Sequence, residues 1–377
     1  MLKIIMHKAD NGDCVSVETE SEFILIDGGT AQSFDAWKSQ IIGKKDKIDS
    51  IIVTHIDNDH INGIIKLLTH SDCPSVKQVY FNGAEQLFGQ LAGDVKEDRR
   101  VKLKLEALSA ECSAISNKES IGYSEGTSLS YVLSSAKIKC NAIVSGNALY
   151  REICESFEIG SLKFTLISPE KSSLDTLKQI WGNKLEQHNI KPRIINKHFY
   201  DAFEQYTGNV KASIQNNHPI SSERMSSIAA LANSPFVDDD SPTNISSFAF
   251  LIEKDDKKIL YLGDCNSEVV TSWLDQNKIK KMKVDVVKVS HHGSKNNTSL
   301  VLLERINCSK YLISTNGHSH SHPDIETIAR IAFVNSESGT EILLNYELET
   351  IPRWFVTELS EKYPLIKLIM NSCEVEL

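Results

Sequence analysis

The segment Thr54-His55-Ile56-Asp57-Asn58-Asp59-His60 constrains the fold of this chain more than any other. It follows the apolar run Ile51-Ile52-Val53, whose branched side chains suit a buried strand. Four side chains able to bind a divalent transition metal, His55, Asp57, Asp59 and His60, thus fall in the loop at the strand's carboxyl end. His55 and Asp57 share a side while the chain stays extended, and Asp59 and His60 come from the turn that follows. Two ligand pairs on one turn imply two metal ions. A polar loop before a helix is the plainer alternative, and two His and two Asp packed this closely weigh against it.

A second feature is internal repetition. Asp49-Ser50-Ile51-Ile52-Val53-Thr54-His55 is matched by Asp285-Val286-Val287-Lys288-Val289-Ser290-His291, each reading Asp, three residues, Val, hydroxyl residue, His. Upstream, Ile24-Leu25-Ile26-Asp27-Gly28-Gly29 resembles Leu260-Tyr261-Leu262-Gly263-Asp264, and downstream Phe81-Asn82-Gly83 echoes Thr315-Asn316-Gly317. Asp27 lies 28 positions before His55, and Asp264 lies 27 before His291. Each half therefore reads hairpin, strand ending in Asp, helix, strand ending in His, helix, strand ending in Asn-Gly. Two similar halves place equivalent strand ends across a shared cleft, which would bring Asp264 and His291 to the cluster around His55.

At 377 residues the chain can bury a large core, and we expect one domain over residues 1–377. A net charge of −9 argues against a broad basic face for nucleic acid, although bound metals would supply positive charge locally. Eight scattered cysteines with no C-x-x-C pair suggest free thiols in a reducing compartment. Cys265 could reach the metal site or be a buried small hydrophobe. No apolar run approaches the ~20 residues that span a bilayer, and the start lacks a secretory signal. A cytoplasmic protein without a membrane partner is the expectation.

Apolar periodicity predicts helices over Ser33–Ile42, from Ile61 onward, over Val101–Ile115, from a Ser124 cap to Ser135, and over Ser173–Trp181. Pro323 suits the first turn of a helix after His322. Residues 185–240 are polar, with helical patches and few strand signals, and read as an insertion, a candidate lid or protein-partner surface.

A hydrolytic site needs an activated water, a Lewis acid and a proton for the leaving group. The expected metal ligands are His55, Asp57, Asp59, His60, Asp264 and His291, with Asp264 as the bridge because one carboxylate offers two oxygens. Their three carboxylates against two divalent ions leave a charge of about +1, which a hydroxide neutralises. Asp27 is placed behind the ligands, where it could fix the tautomer of a metal-bound His; a simple turn is the other reading. Asn244 occupies the position where a third ligand of the first ion would come; Asn is a poor ligand, and His188, His198 or His218 of the insertion could substitute or be surface residues. Candidate catalytic residues are Asp59, His292, His322 and His320, with His322 preferred over His320 as general acid. His292 could instead pack, and Ser294 with Lys295 could meet phosphate oxygens or remain solvated.

These motifs resemble the metallo-β-lactamase-fold superfamily, whose His-x-His-x-Asp-His hallmark stands here as His55-Ile56-Asp57-Asn58-Asp59-His60. With Leu262-Gly263-Asp264 and His291-His292-Gly293-Ser294, the Asp57 variant is similar to the hydrolase domain of ComEC-like DNA-uptake proteins. The resemblance covers about residues 1–83, 156–170 and 244–345. It implies an α/β, four-layer αββα sandwich, here with a largely helical and loop insertion, and a dinuclear zinc or manganese site at one edge of the sheets. Asp57, a harder ligand than the usual imidazole, shifts preference toward manganese. The expected function is a metal-dependent phosphodiesterase or nuclease that attacks with a hydroxide activated by two metal ions. Hydrolysis of a lactone, lactam or thioester by the same fold is the alternative, as is an effector or binding subunit of a multi-protein system.

Overall fold

Strands apolar on both faces need cover on both sides, and short central strands here are of that kind: Phe23–Ile26 and Ser50–Ile52 are buried at every residue. The computed structural model of the chain describes residues 1–91, 99–115, 127–190, 195–208, 227–318 and 321–377. One sheet has six strands in the spatial order Glu374–Glu376, Lys3–Met6, Val15–Glu18, Phe23–Ile26, Ser50–Ile52 and Val79–Tyr80. A second has eight, in the order Ile366–Ile369, Thr340–Leu344, Lys310–Ile313, Val286–Lys288, Lys257–Tyr261, Ala249–Lys254, Leu162–Ser168 and Ser156–Ile159, and two small pairs, Lys47–Ile48 with Ser75–Val76 and Met282–Lys283 with Ile306–Asn307, stand apart.

Alternation along each strand assigns its side chains to layers. Ile24, Ile26 and Ile52 of the first sheet share one apolar layer with Ile259, Tyr261 and Val286 of the second, so the two sheets face each other. Leu25, Ile51 and Val53 point the other way, against helices that supply Trp37, Ile64 and Phe203. Leu260 and Val287 likewise face helices that supply Trp273, Ile328 and Phe355. The result is the expected four-layer αββα sandwich.

The repeat is visible in the pairing. Val15–Glu18 and Phe23–Ile26 form an antiparallel hairpin, followed by parallel Ser50–Ile52 and Val79–Tyr80. Ala249–Lys254 and Lys257–Tyr261 do the same, followed by parallel Val286–Lys288 and Lys310–Ile313. Parallel strands bring their carboxyl ends to one edge, and the Phe248 amide donates to Thr54 O at 2.9 Å, joining the two halves there.

Several local expectations shift. The Ser33–Ile42 helix is a short Phe34–Trp37 turn followed by a tighter one at Lys38–Gln40, and the later helices run Arg99–Ile115 and Lys171–Gln187. Ser124 lies outside the described residues; Ser128 caps Leu129–Ser135, its Oγ accepting from the Tyr131 amide at 3.3 Å. Pro323 precedes rather than opens its helix, which begins at Ile325 after Asp324. Within 185–240, residues 191–194 and 209–226 lie outside the described residues. The helix Lys197–Thr207 buries Phe199, Tyr200 and Phe203 in the apolar cluster over the first sheet, and Ile228–Ala232 joins that of the second. Gly208, just past Lys197–Thr207, abuts the metal-motif loop: a Cβ there would stand 3.1 Å from Ile56 O. No helix of the described residues is long and apolar enough to cross a membrane.

One close approach sets the position of the helix Asn58–Thr69 and hence of His60. The Gly28 amide donates to His60 O at 2.9 Å and the Gly63 amide to Gly29 O at 3.1 Å. A Cβ on Gly63 would stand 1.8 Å from Gly28 O, so the helix can dock only through glycine. Gly63→Ala is expected to cost about 1–3 kcal/mol of stability, read as a lowered urea midpoint; an unchanged midpoint would contradict this docking.

Candidate metal centre

The centre grows from strand ends. Asp27 follows Phe23–Ile26 and is fully buried. Its Oδ1 accepts from the Thr54 amide and its Oδ2 from Thr54 Oγ1, both at 2.7 Å, which locks the end of one strand to the end of the next. The same Oδ2 lies 2.9 Å from His60 Nδ1. A carboxylate only accepts, so Nδ1 carries the proton and the Nε2 lone pair faces the other way. Asp27 therefore lies behind His60, on the side of the ring away from Asp264.

Asp264, at the end of the matching strand in the other half, is the centre of the arrangement. Its Oδ2 lies 3.3 Å from His60 Nε2, 3.6 Å from His292 Nε2 and 3.9 Å from both His55 Nε2 and His291 Nε2. Asp57 Oδ2 is 3.6 Å from His55 Nε2, while Asp59 approaches His60 Nε2 at 3.9 Å and His292 Nε2 at 3.7 Å. Among the described residues three groups of ligand atoms are close enough to hold an ion: His55, His60 and Asp264; Asp59, His60 and His292; and, behind His60, Asp13, Asp27 and His60. The site has a floor and an open side, since the His55 and His60 side chains are fully buried whereas Asp57, Asp59 and His291 keep 25–28% of theirs exposed.

The ligand atoms themselves test whether metal fits. His55 Nε2, His60 Nε2, His292 Nε2, Asp57 Oδ1 and Asp264 Oδ1 are buried and make no hydrogen bond. Buried polar atoms are ordinarily satisfied, and a cation would satisfy these together. Electrostatics agree. Burial alone would lower the pKa of His60, but the charges of Asp264 and Asp27 outweigh it and hold the imidazole well above its usual range. Burial would raise Asp264, but His60, His292 and His291 hold its carboxyl well below. For His291, Asp264 and Asp239 overcome burial and push the value up to about 9. The cluster attracts positive charge, whether protons or metal ions.

Of the two adjacent histidines, His292 is the more deeply embedded. It is 3% exposed and its Nδ1 lies 3.0 Å from Ser314 O, so it packs into the cluster rather than lining an open cleft as a substrate contact would. His291 is braced from behind: Nδ1 is 3.0 Å from Asn297 Oδ1 and 3.3 Å from Asp239 Oδ2. Asn244 donates to Asp239 at 2.6 Å, and its own Oδ1 is buried without a partner. Ser294 faces its own turn, its Oγ accepting from the Asn296 amide at 3.2 Å, and Lys295 pairs with Glu326 at 3.3 Å rather than standing free for phosphate. His322 comes to the edge of the centre, its ring 5.3 Å from that of His291 and its Nδ1 3.4 Å from Asp324 Oδ2. His320 lies outside the described residues. Cys265 is buried in the apolar cluster under the outer helices, not in the site.

Sequence reasoning missed five participants. Asn11 donates to Asp59 Oδ2 at 3.1 Å, and a Cβ on neighbouring Gly12 would lie 1.9 Å from Asp59 O, so this turn is pressed against the metal motif. Asp239 and Asn297 read as members of polar runs. Asp13 and Lys288 form a buried ion pair beneath His292. Only Lys288 left a signal: a lysine inside Val286-Val287-Lys288-Val289 is out of place in a buried strand unless paired.

Residues 7–80 match the model of the metallo-beta-lactamase superfamily. Among curated proteins none matches the chain in sequence. Solved structures of similar shape include the metallo-beta-lactamase fold protein YhfI from Bacillus subtilis, at 11% identity and a TM-score of 0.40 over 100% of both chains. Zn(2+)-bound PqqB from Methylobacterium extorquens is similar at 9% identity and a TM-score of 0.41, again over 100% of both. A diphosphatase from the PhnP family is similar at 10% identity and a TM-score of 0.40, over 100% of this chain and 98% of that one. The matched stretch holds Asp27, His55 and His60, and the two facing sheets between helices have the layering of the metallo-β-lactamase fold.

Proposed function

We propose that this chain is a metal-dependent hydrolase that binds two divalent ions, zinc or manganese, and cleaves phosphodiester bonds. One observation carries the proposal: a single Asp264 oxygen lies within 3.9 Å of four imidazole nitrogens, three of them buried and without a hydrogen bond. His55, Asp57 and His291 would hold one ion, Asp59, His60 and His292 the other, with Asp264 shared. In this reading both His291 and His292 would be ligands. The likeness of the His55–His60, Leu262–Asp264 and His291–Ser294 motifs to the ComEC-like hydrolase branch supports a nucleic acid or nucleotide substrate.

Bound ions would supply Lewis acidity and a water nucleophile near neutral pH. The three ligand carboxylates nearly balance two divalent charges, so an anionic phosphate can approach the open side by Asp57, Asp59 and His291 without large repulsion. The chain's own residues hold the geometry. Asp27 fixes the ring of His60, Asn11 orients Asp59, and Asn297 with Asp239 fixes His291. His322, 3.4 Å from Asp324 and beside His291, would be the histidine to exchange a proton with a leaving oxygen; burial holds its imidazole below the ordinary value, so it would gain that proton from the reaction's own water rather than carry it at neutral pH.

Purified protein is expected to carry about two ions per chain and to lose cleavage of bis-p-nitrophenyl phosphate in EDTA while leaving nitrocefin intact. Asp27→Asn should weaken metal binding by about 10–100-fold. Nitrocefin turnover without phosphodiester cleavage would assign the lactam class, and less than about half an ion per chain would favour an effector without catalysis.

The histidine–carboxylate contacts also set a pH dependence. In the metal-free chain His60 and His291 lie above their ordinary values. The stability they contribute is therefore complete below about pH 6.5. It is lost as pH rises through the folded values, about 9 for His291. Because ions displace these protons, metal should raise the melting temperature more at about pH 9 than at about pH 6. Thermal scans with and without metal test this, and a metal effect that shrinks as pH rises would contradict it.

A further inference from the structure

We infer that the buried Lys288–Asp13 ion pair is a positioning device for His292, and through it for one of the two ion sites; the inference rests on the two-ion reading above. Val286 faces the layer between the sheets and Val287 faces the outer helices, so strand alternation turns Lys288 back into the central layer. Its side chain is fully buried there. Asp13 lies two residues before Val15, which faces the same layer from the first sheet, and it too is fully buried. The ammonium of Lys288 donates to Asp13 Oδ2, so the pair spans the two sheets directly below the centre.

Asp13 Oδ1 is the informative atom. It is buried, makes no hydrogen bond, and lies 3.5 Å from His292 Nδ1. That same nitrogen lies 3.0 Å from Ser314 O. A carbonyl and a carboxylate both accept, so together they require a proton on Nδ1 and leave the Nε2 lone pair directed at Asp59 Oδ2, 3.7 Å away, and Asp264 Oδ2, 3.6 Å away. Lys288 supplies the countercharge that lets Asp13 stand there. It also occupies a carboxylate that, with Asp27 and His60, makes a third buried group of ligand atoms, and so keeps that position filled by a tethered cation.

Stability alone gives little reason for the pair. A fully desolvated ion pair can often be replaced by apolar residues of similar volume without loss, whereas removing one partner leaves an unpaired buried charge. That contrast separates a positioning role from a structural one. The double variant Asp13→Val/Lys288→Met is expected to fold. Calorimetric titration with Mn²⁺ should then show one ion bound about 10-fold or more weakly than in the parent, and the other within about threefold. Nitrogen NMR should show His292 losing its single Nδ1–H form. Asp13→Asn, which keeps the side-chain size, should show the same one-site loss and serves if the double variant does not fold. Parent-like affinity for both ions in a folded variant would overturn the inference, as would failure of both variants to fold, which would make the pair a structural requirement. A parent protein that binds no ion would instead sink the two-ion reading itself.

Discussion

One carboxylate oxygen faced by four imidazoles is the constraint around which this molecule is arranged. Asp264 is 2% exposed, and a lone charge at that depth would be severely penalised. Imidazolium protons or metal cations are the two means of compensation on hand, and the pairing at His60 and His291 shows how readily the site draws positive charge. The behaviour of the metal-free and metal-loaded protein is therefore one problem in charge balance. Everything that holds Asp264 in place, from the Ser247 hydroxyl at its amide to the Asn297 amide at its carbonyl, bears on that balance.

The fold delivers these groups by using the same construction twice. In each half a hairpin leads into parallel strands, and the strand carboxyl ends carry Asp27 and His55 on one side, Asp264 and His291 on the other. Facing the two sheets brings the ends together. The halves are not used equally, however. Asp27 sits behind His60 at Nδ1, whereas Asp264 sits in front of it at Nε2. Duplicated topology supplies equivalent positions, and the local side chains then divide them between a place behind the His60 ring and a place in front of it.

The αββα layering, both strand-end carboxylates and the first metal motif were legible because each depends on local pattern: period-two apolar strands, a His/Asp cluster at fixed spacing, and a repeat in matching order. Helix ends were less legible, as at Ser128 and Asp324, since capping depends on one or two side chains. The supporting residues were the least legible. Asn11 reaches Asp59 across 48 positions and Asp239 reaches Asn297 across 58, and nothing local in polar turns marks such partners. His291 and His292 show the same limit: a repeat alignment assigns one strand-end position, but both residues follow it in left-handed backbone, so both rings turn toward the centre.

Lys288 breaks the strand pattern and thereby exposes a difference between what builds a core and what builds a site. Its neighbours Val286 and Tyr261 fill the central layer with apolar volume, and the lysine stem does the same. The ammonium, however, must find a countercharge within that layer, which draws Asp13 inward and presses the turn Asn11-Gly12-Asp13 onto Asp59 and His292. The layer that holds the sheets together therefore ends, at the metal edge, in a charged contact that orients ligands from both halves. A purely apolar layer could hold the sandwich together, but it would place no carboxylate beside His292 Nδ1 to reinforce the proton that Ser314 O already calls for.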